Sequence, residues 1–333
     1  MTIKVGINGF GRIGRNVLRG ILEAGRKDIE VIAINDLGPV ETNAHLLQFD
    51  SVHGRFPGTV EVVEGGIDAG SGPILVTAER DPSKLPWDSV DIALECTGIF
   101  TDRDKAALHL QNGSKRVLVS APASGADKTV VYGVNHDSLT SDHLVVSNAS
   151  CTTNCLAPVA MVLNEKFGIK TGYMTTIHSY TGDQPSLDTM HKDLYRARAA
   201  ALSMIPTSTG AAKAVALVLP DLEGKMDGAA IRVPTPNVSC VDLKFLTEKS
   251  TSVEAINSAI REASMGALKG VLGYDENSLV SIDFNHAPES STFAPQQTKV
   301  LPSGMARILS WYDNEWGFSN RMADTAVAMG KLI

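Results

Sequence analysis

Ile3-Lys4-Val5-Gly6-Ile7-Asn8-Gly9-Phe10-Gly11-Arg12-Ile13-Gly14 reads as a short apolar strand that breaks on a cluster of glycines and opens a helix. Residues 9–14 fit the pattern G-x-G-x-x-G. In that setting Gly9 permits a tight turn and Gly11 lets the backbone approach a pyrophosphate. Gly14 lets the helix lie close to the strand, with the anion held at the helix N-terminus. Helical spacing continues through Ile13, Val17, Leu18, Ile21 and Leu22 and stops at Gly25. A second strand, residues 31–35, ends at Asp36, where a carboxylate bonds the ribose hydroxyls of a dinucleotide and repels a 2′-phosphate. Further strand-like runs at 92–95, 117–119 and 144–146 alternate with helical patterns, so residues 1–150 are expected to form a parallel sheet wound with helices. Cys96-Thr97-Gly98 and Ser120-Ala121-Pro122 each close one of these strands with small residues. In an open parallel sheet such positions line the ligand crevice.

The whole chain has 333 residues, enough for two domains, and its 43% hydrophobic and 20% charged content is that of a globular protein. A net charge of −7 argues against nucleic acid as a partner and leaves a small anionic substrate as the expectation. Cys96, Cys151, Cys155 and Cys240 are few and irregularly spaced, which fits a reducing compartment better than a disulfide framework. The strand at residues 3–7 leaves no room for a signal peptide, and no apolar run approaches the roughly 20 residues that span a bilayer. A cytoplasmic protein without membrane contact is expected.

Beyond residue 150 the pattern changes. Ala149-Ser150-Cys151-Thr152-Thr153-Asn154-Cys155 places a cysteine where a strand gives way to a helix reaching about Lys166. Backbone N–H groups at a helix start favour thiolate over thiol, and Ser150 or Thr152 can cap the helix and bond an oxyanion. An inert, buried cysteine at the same junction is the alternative. Pro158 falls inside this helix and predicts a kink. Wider strand-like runs at 173–178, 229–245 and 306–312, with a helix over 252–267, suggest an antiparallel or mixed sheet with helices on one face. Residues 319–332 look helical and are expected to pack back on the first domain.

A nucleophilic cysteine needs a base, and His178 ends the strand at 173–178, where it can reach a cleft. The other seven histidines read as structural, with His53 and His191 the next candidates. A metal is a poor alternative, because Cys151 and Cys155 are one helical turn apart without a third and fourth ligand, and Cys155 reads as a packed helix residue. Arg196-Ala197-Arg198, the segment 207–213 with Thr209-Gly210, and Arg232-Val233-Pro234-Thr235 carry the arginine forks and threonine-glycine turn that suit a phosphate monoester. Surface or interface ion pairs are an equal reading of each arginine taken alone.

Together, Asn8-Gly9-Phe10-Gly11-Arg12-Ile13-Gly14-Arg15, Ser150-Cys151-Thr152-Thr153-Asn154-Cys155, His178 and Trp311-Tyr312-Asp313-Asn314-Glu315-Trp316-Gly317 run essentially end to end. In them the chain resembles the phosphorylating glyceraldehyde-3-phosphate dehydrogenases. The resemblance implies an α/β protein: a Rossmann-type doubly wound parallel sheet (1–150), an α+β catalytic domain with a mixed or antiparallel sheet (151–317), and a C-terminal helix (318–333). It implies NAD-dependent oxidation of an aldehyde to an acyl phosphate in a homotetramer, with Cys151 as nucleophile and His178 as base. Arg12, Ile13, Asp36, Arg80, Ser120 and Asn314 would meet the dinucleotide, alongside the glycines and Thr97 read above. Thr181 and Arg232 would hold the substrate phosphate, and Ser150, Thr152, Thr209 and Gly210 the attacking inorganic phosphate, with Arg196 near both. The stretch from Ser179 to about Leu202 would correspond to the family's loop that contacts a neighbouring subunit's cofactor.

Two positions depart from the family's common pattern. Thr189-Met190 stand where glycolytic bacterial members carry Leu-Pro, which loosens exclusion of NADP even though Asp36 disfavours it, and Phe318 stands where many members have tyrosine. Competing readings are an erythrose-4-phosphate dehydrogenase that releases an acid, a cysteine hydrolase that binds a nucleotide, and a nucleotide-dependent binding protein. The intact Thr181-Gly182-Asp183-Gln184 loop and Thr209-Gly210 turn favour the phosphorylating enzyme.

Overall fold

The computed structural model describes residues 2–333. Internal contacts divide the described residues into two units, one of residues 2–132, 136–150 and 319–333, the other of 133–135 and 151–318. No helix among the described residues is long and apolar enough to cross a membrane.

The first unit is built on a nine-stranded sheet. In spatial order its strands are Lys128–Thr129, Val145–Ser147, Arg116–Val119, Ile92–Glu95, Ile3–Asn8, Ile29–Asn35, Pro73–Thr77, Gly66–Asp68 and Glu61–Val63. The first seven run parallel; Gly66–Asp68 pairs antiparallel with Pro73–Thr77, and Glu61–Val63 antiparallel with Gly66–Asp68 at the edge. Ile3–Asn8 has Ile29–Asn35 on one side and Ile92–Glu95 on the other, so the winding direction reverses beside it, and a crevice opens beyond the carboxyl ends of Asn8 and Glu95. The central strands are buried on both faces, as their unbroken apolar runs require. Leu85, Trp87, Val90, Ala93, Ala106, Val117, Val119 and Val145 form one core cluster there. The sequence reading found five of these strands and missed four: the two-residue Lys128–Thr129 at one edge, Pro73–Thr77, and the antiparallel pair beyond it, whose short runs are interrupted by glycines at 65, 66, 70 and 72.

The second unit carries a mixed sheet in the order Ile205–Thr207, Met226–Val233, Ile169–Ser179, Ser239–Thr247, Ala306–Tyr312, Ser291–Phe293 and Leu272–Tyr274. The apolar run at 229–245 is not one strand. It breaks at residues 234–238, with Val238 at φ +68°, and its halves lie on opposite sides of Ile169–Ser179, parallel on one side and antiparallel on the other. Helix Cys151–Phe167 packs on this sheet through buried Cys155, whose Sγ lies 3.4 Å from Ser291 Oγ. The helix continues through Pro158, which is buried within it. Helix Val253–Met265 starts where Ser252 accepts the Ala255 N–H at 3.1 Å, a side-chain N-cap. The final helix is Trp316–Gly330, and its residues from Ser319 onward cluster with the first unit.

Candidate active site

In the first unit the glycine loop joins Ile3–Asn8 to helix Arg12–Glu23. Gly9 adopts φ +91°, and a Cβ there would meet Thr97 N at 2.7 Å. A Cβ on Gly14 would lie 2.2 Å from Gly9 O, so both glycines answer to the protein's own packing. Gly11 differs, because a Cβ on it would meet nothing within 4 Å. The space beside Gly11 is the cradle that a side chain would fill, and it suits a pyrophosphate at the start of a helix. Asp36 pins this loop, accepting the Phe10 N–H at 2.8 Å and the Gly38 N–H at 2.9 Å.

Below the loop lies a buried polar network that the sequence reading did not find. Trp87 Nε1 donates to His109 Nδ1 at 2.8 Å, which requires that nitrogen to be unprotonated and puts the ring proton on Nε2, 3.0 Å from Glu95 Oε2. Glu95 also accepts Asn8 Nδ2 at 2.6 Å, the Thr97 N–H at 2.8 Å and the Thr97 hydroxyl. Asn8 in turn accepts Asn35 Nδ2 at 2.7 Å. Glu95 thereby holds the Thr97 backbone against which Gly9 sits. A buried acid flanked by polar strand ends was the available signal, but its partners Asn8 and His109 come from two other elements, far from it along the chain.

Arg12 forks onto Asp50, and against the opposing effect of burial this holds the Asp50 carboxyl down at about 2. Ile13 is half-buried in the first turn of the helix. Arg80 is exposed with no partner among the described residues. Ser120, half-buried, takes Glu95 O through its N–H at 3.0 Å and bonds the Cys96 side chain.

In the second unit, helix Cys151–Phe167 begins at the thiol, which is partly exposed. Ala149, at φ +56°, turns the chain through the left-handed region just before Ser150 and Cys151. His178, near the end of Ile169–Ser179, brings Nε2 to 3.5 Å from Cys151 Sγ. Its Nδ1 lies 2.7 Å from Ser179 O; a carbonyl can only accept, so Nδ1 carries the proton and the Nε2 lone pair faces the sulfur. Arg232 is directly opposite His178 in the parallel pairing with Met226–Val233. Its Nη1 donates to Ser179 O at 3.0 Å and to Thr181 Oγ1 at 3.2 Å, and with the shorter Ser179 contact holding the Nδ1 proton its 3.0 Å approach to Nδ1 is a contact between two donors, felt as charge and not as a hydrogen bond.

These neighbours set the resting protonation. Burial first, and the Arg232 charge second, push His178 down to about 3. Burial raises the Cys151 thiol, while Arg232, the Thr152 hydroxyl and N–H, and the Cys151 N–H pull the other way. Both shifts favour the uncharged pair, with the Nε2 lone pair of the imidazole aimed at the thiol. Behind it Tyr312 packs edge-on to the His178 ring, with centroids 5.9 Å apart. Its OH bonds Thr152 Oγ1 at 2.8 Å and Thr176 Oγ1 at 2.9 Å. The Thr152 hydroxyl thus has an inward partner, and Tyr312 is a further residue of the site.

Thr181, Asp183, Arg196 and Arg232 gather around one patch. Asp183 accepts the Thr181 hydroxyl and Arg196 Nη1 at 2.9 Å; burial opposes its ionisation, but Thr181, Arg232 and Arg196 hold its carboxyl low. Arg232 Nε is buried with no partner, a donor that an anion oxygen would satisfy. Thr209 caps the next turn by accepting the Ala211 N–H at 3.1 Å beside Gly210, and the Thr153 hydroxyl reaches Ala211 O at 3.4 Å, tying that turn to the Cys151 helix. Asn314 is buried beside Ser179 and Ser239. His191 does not join the cluster; it is exposed and bonded to Asp193. His53 lies in the loop next to Asp50.

Comparisons with known proteins show the family. The family model described as glyceraldehyde 3-phosphate dehydrogenase, NAD binding domain, matches residues 3–103, and the one described as the C-terminal domain matches residues 150–314. The chain is 73% identical to glyceraldehyde-3-phosphate dehydrogenase of Xanthobacter flavus and 72% identical to that of Cereibacter sphaeroides, each over all of both chains. It is 58% identical to the Pseudomonas aeruginosa protein of the same name over 99% of this chain and 98% of that one.

Proposed function

The chain belongs to the glyceraldehyde-3-phosphate dehydrogenase family and oxidises glyceraldehyde 3-phosphate with inorganic phosphate to 1,3-bisphosphoglycerate, reducing NAD; from that premise we propose how its own residues carry the reaction. Cys151 adds through sulfur to the aldehyde carbon as its proton passes to His178 Nε2, and His178 hands that proton on to the carbonyl oxygen, which becomes the hydroxyl of a hemithioacetal and leaves the imidazole neutral. His178 then takes the hemithioacetal hydroxyl proton as the carbon loses hydride. NAD, when bound, accepts that hydride, and a thioester remains on Cys151. The Cys151 N–H stabilises negative charge on the carbonyl oxygen. Inorganic phosphate attacks the thioester, the carbon–sulfur bond breaks, and the acyl phosphate leaves with the thiol regenerated. The proton on His178 goes to solvent.

Thr181 and Arg232 are assigned to the substrate phosphate, and Ser150, Thr152, Thr209 and Gly210 to inorganic phosphate, with Arg196 beside both. For Thr152 this leaves the backbone N–H and a hydroxyl shared with Tyr312. An anion on Arg232 neutralises the charge that depresses His178, so substrate binding itself makes the base stronger. Gly9, Gly11 and Gly14 with Arg12, Ile13, Asp36, Arg80, Thr97, Ser120 and Asn314 are assigned to the dinucleotide. The open cradle at Gly11 supports this, as does the Asp36 carboxylate, which disfavours a 2′-phosphate.

The 3.5 Å approach of His178 Nε2 to Cys151 Sγ, with the Nδ1 proton on Ser179 O, carries the reading. Reduced nicotinamide should appear only when glyceraldehyde 3-phosphate and phosphate are both present, and Cys151→Ser should abolish it. Phosphate-independent turnover releasing an acid would instead favour the erythrose-4-phosphate type. We further propose a cytoplasmic homotetramer. The exposed apolar side chains Leu187, Met190, Leu194 and Leu202 on the 179–202 segment support burial against another copy.

A further inference from the structure

Three neighbouring strands of the second unit's sheet bring Ser179, Ser239 and Asn314 together: Ser179 ends Ile169–Ser179, Ser239 opens Ser239–Thr247, and Asn314 follows Ala306–Tyr312. All three are buried. The Ser179 N–H donates to Ser239 Oγ at 3.0 Å. With one lone pair so engaged, Ser239 keeps its hydroxyl proton for Asn314 Oδ1 at 2.9 Å, while Ser179 Oγ, at 3.5 Å, is a poorer acceptor. The Ser179 hydroxyl donates to the same Asn314 Oδ1 at 2.8 Å. Two donors saturate the amide oxygen and decide which end of the amide faces the serines. Asn314 Nδ2 then points away, with no hydrogen-bond partner among the described residues and both N–H donors available.

We propose that Ser179 and Ser239 are positioning residues: they lock the Asn314 amide so that its N–H donors meet the carbonyl oxygen of the nicotinamide carboxamide. The carboxamide is the only hydrogen-bonding substituent on that ring, so a donor fixed on the protein selects one ring orientation out of those the glycosidic bond allows. The lock rests on the assignment of Asn314 to the cofactor. It also joins two functions in one residue, because the Ser179 carbonyl fixes the His178 tautomer while the Ser179 hydroxyl fixes Asn314. A free amide at position 314 would turn over and offer its oxygen to the carboxamide oxygen half of the time.

Isothermal titration of NAD and of ADP-ribose, which lacks the nicotinamide, into the cofactor-free protein tests the proposal. Ser179→Ala removes one donor and leaves the Ser179 N–H bonded, whereas Ser239→Ala also removes that N–H's acceptor and is the variant more exposed to misfolding. In Ser179→Ala, NAD affinity should fall roughly tenfold while ADP-ribose affinity stays within about twofold of the parent. Parent-like NAD affinity in Ser179→Ala and in Ser179→Ala/Ser239→Ala, alongside weakened NAD binding in Asn314→Ala, overturns the lock but keeps Asn314 at the cofactor. Parent-like NAD affinity in Asn314→Ala overturns the assignment of Asn314 itself. Equal losses for NAD and ADP-ribose in Ser179→Ala also overturn the lock, since they report a general disturbance of the site.

Discussion

At His178 two effects act together: the ring is buried, and the Arg232 guanidinium lies 3.0 Å from Nδ1, so the imidazolium is disfavoured twice. Stability follows from this. With a folded value of about 3 against an ordinary 6.5, the unfolded chain takes up a proton below pH 6.5 that the folded chain refuses. The contribution is complete above about pH 6.5 and drains away as pH falls toward 3. His178→Asn, measured by urea unfolding, should therefore lose about 2 kcal/mol less than the parent between pH 7 and pH 5. Equal losses would mean that the ring is solvated or paired on protonation. Arg232 is expected to act on substrate and base alike. Arg232→Leu should raise KM for glyceraldehyde 3-phosphate at least about tenfold, the loss of a charge-assisted bond, while shifting the acid limb of kcat/KM upward as His178 protonates more easily. An unchanged KM would remove Arg232 from the phosphate site.

The glycine loop separates two reasons for conserving space at the level of an element. Gly9 needs its positive φ and its closeness to Thr97, so Gly9→Ala should cost about 1–3 kcal/mol of stability before any ligand is added. A Cβ at Gly11 faces only open space, so Gly11→Ala should melt like the parent yet bind NAD at least about tenfold more weakly, by blocking the pyrophosphate. Thermal melts with and without NAD distinguish the two, and a Gly11→Ala protein that binds NAD normally would show that the cradle is not where the pyrophosphate lies. The helix at Cys151 has a similar division. Its N-terminal N–H groups attend the thiol, while Cys155 one turn on is packed against Ser291, and burial raises its thiol far out of the reactive range.

For the whole molecule, NAD binds the folded chain and not the unfolded one, so NAD at a hundred times its Kd should add about 2.7 kcal/mol and raise Tm, with NADP doing less because of Asp36. An equal shift with NADP would show that Thr189 and Met190 have relaxed that preference. Much of the architecture is readable along the chain, because strand, glycine turn, helix and acid follow one another within residues 3–36 and the thiol sits at a helix start within residues 149–155. Local periodicity and backbone permissiveness are properties of contiguous residues, and they determined the α/β class, the cofactor motif and the candidate nucleophile. They carry no information about which distant strands become neighbours. Only the tertiary structure split the run at 229–245 across two sides of one strand, set Arg232 opposite His178, buried Glu95 with His109 and Trp87, and brought Ser179, Ser239 and Asn314 into one cluster. Each of those outcomes is a long-range pairing decided by burial and by the need of buried polar groups for partners, a demand the sequence states without naming who meets it.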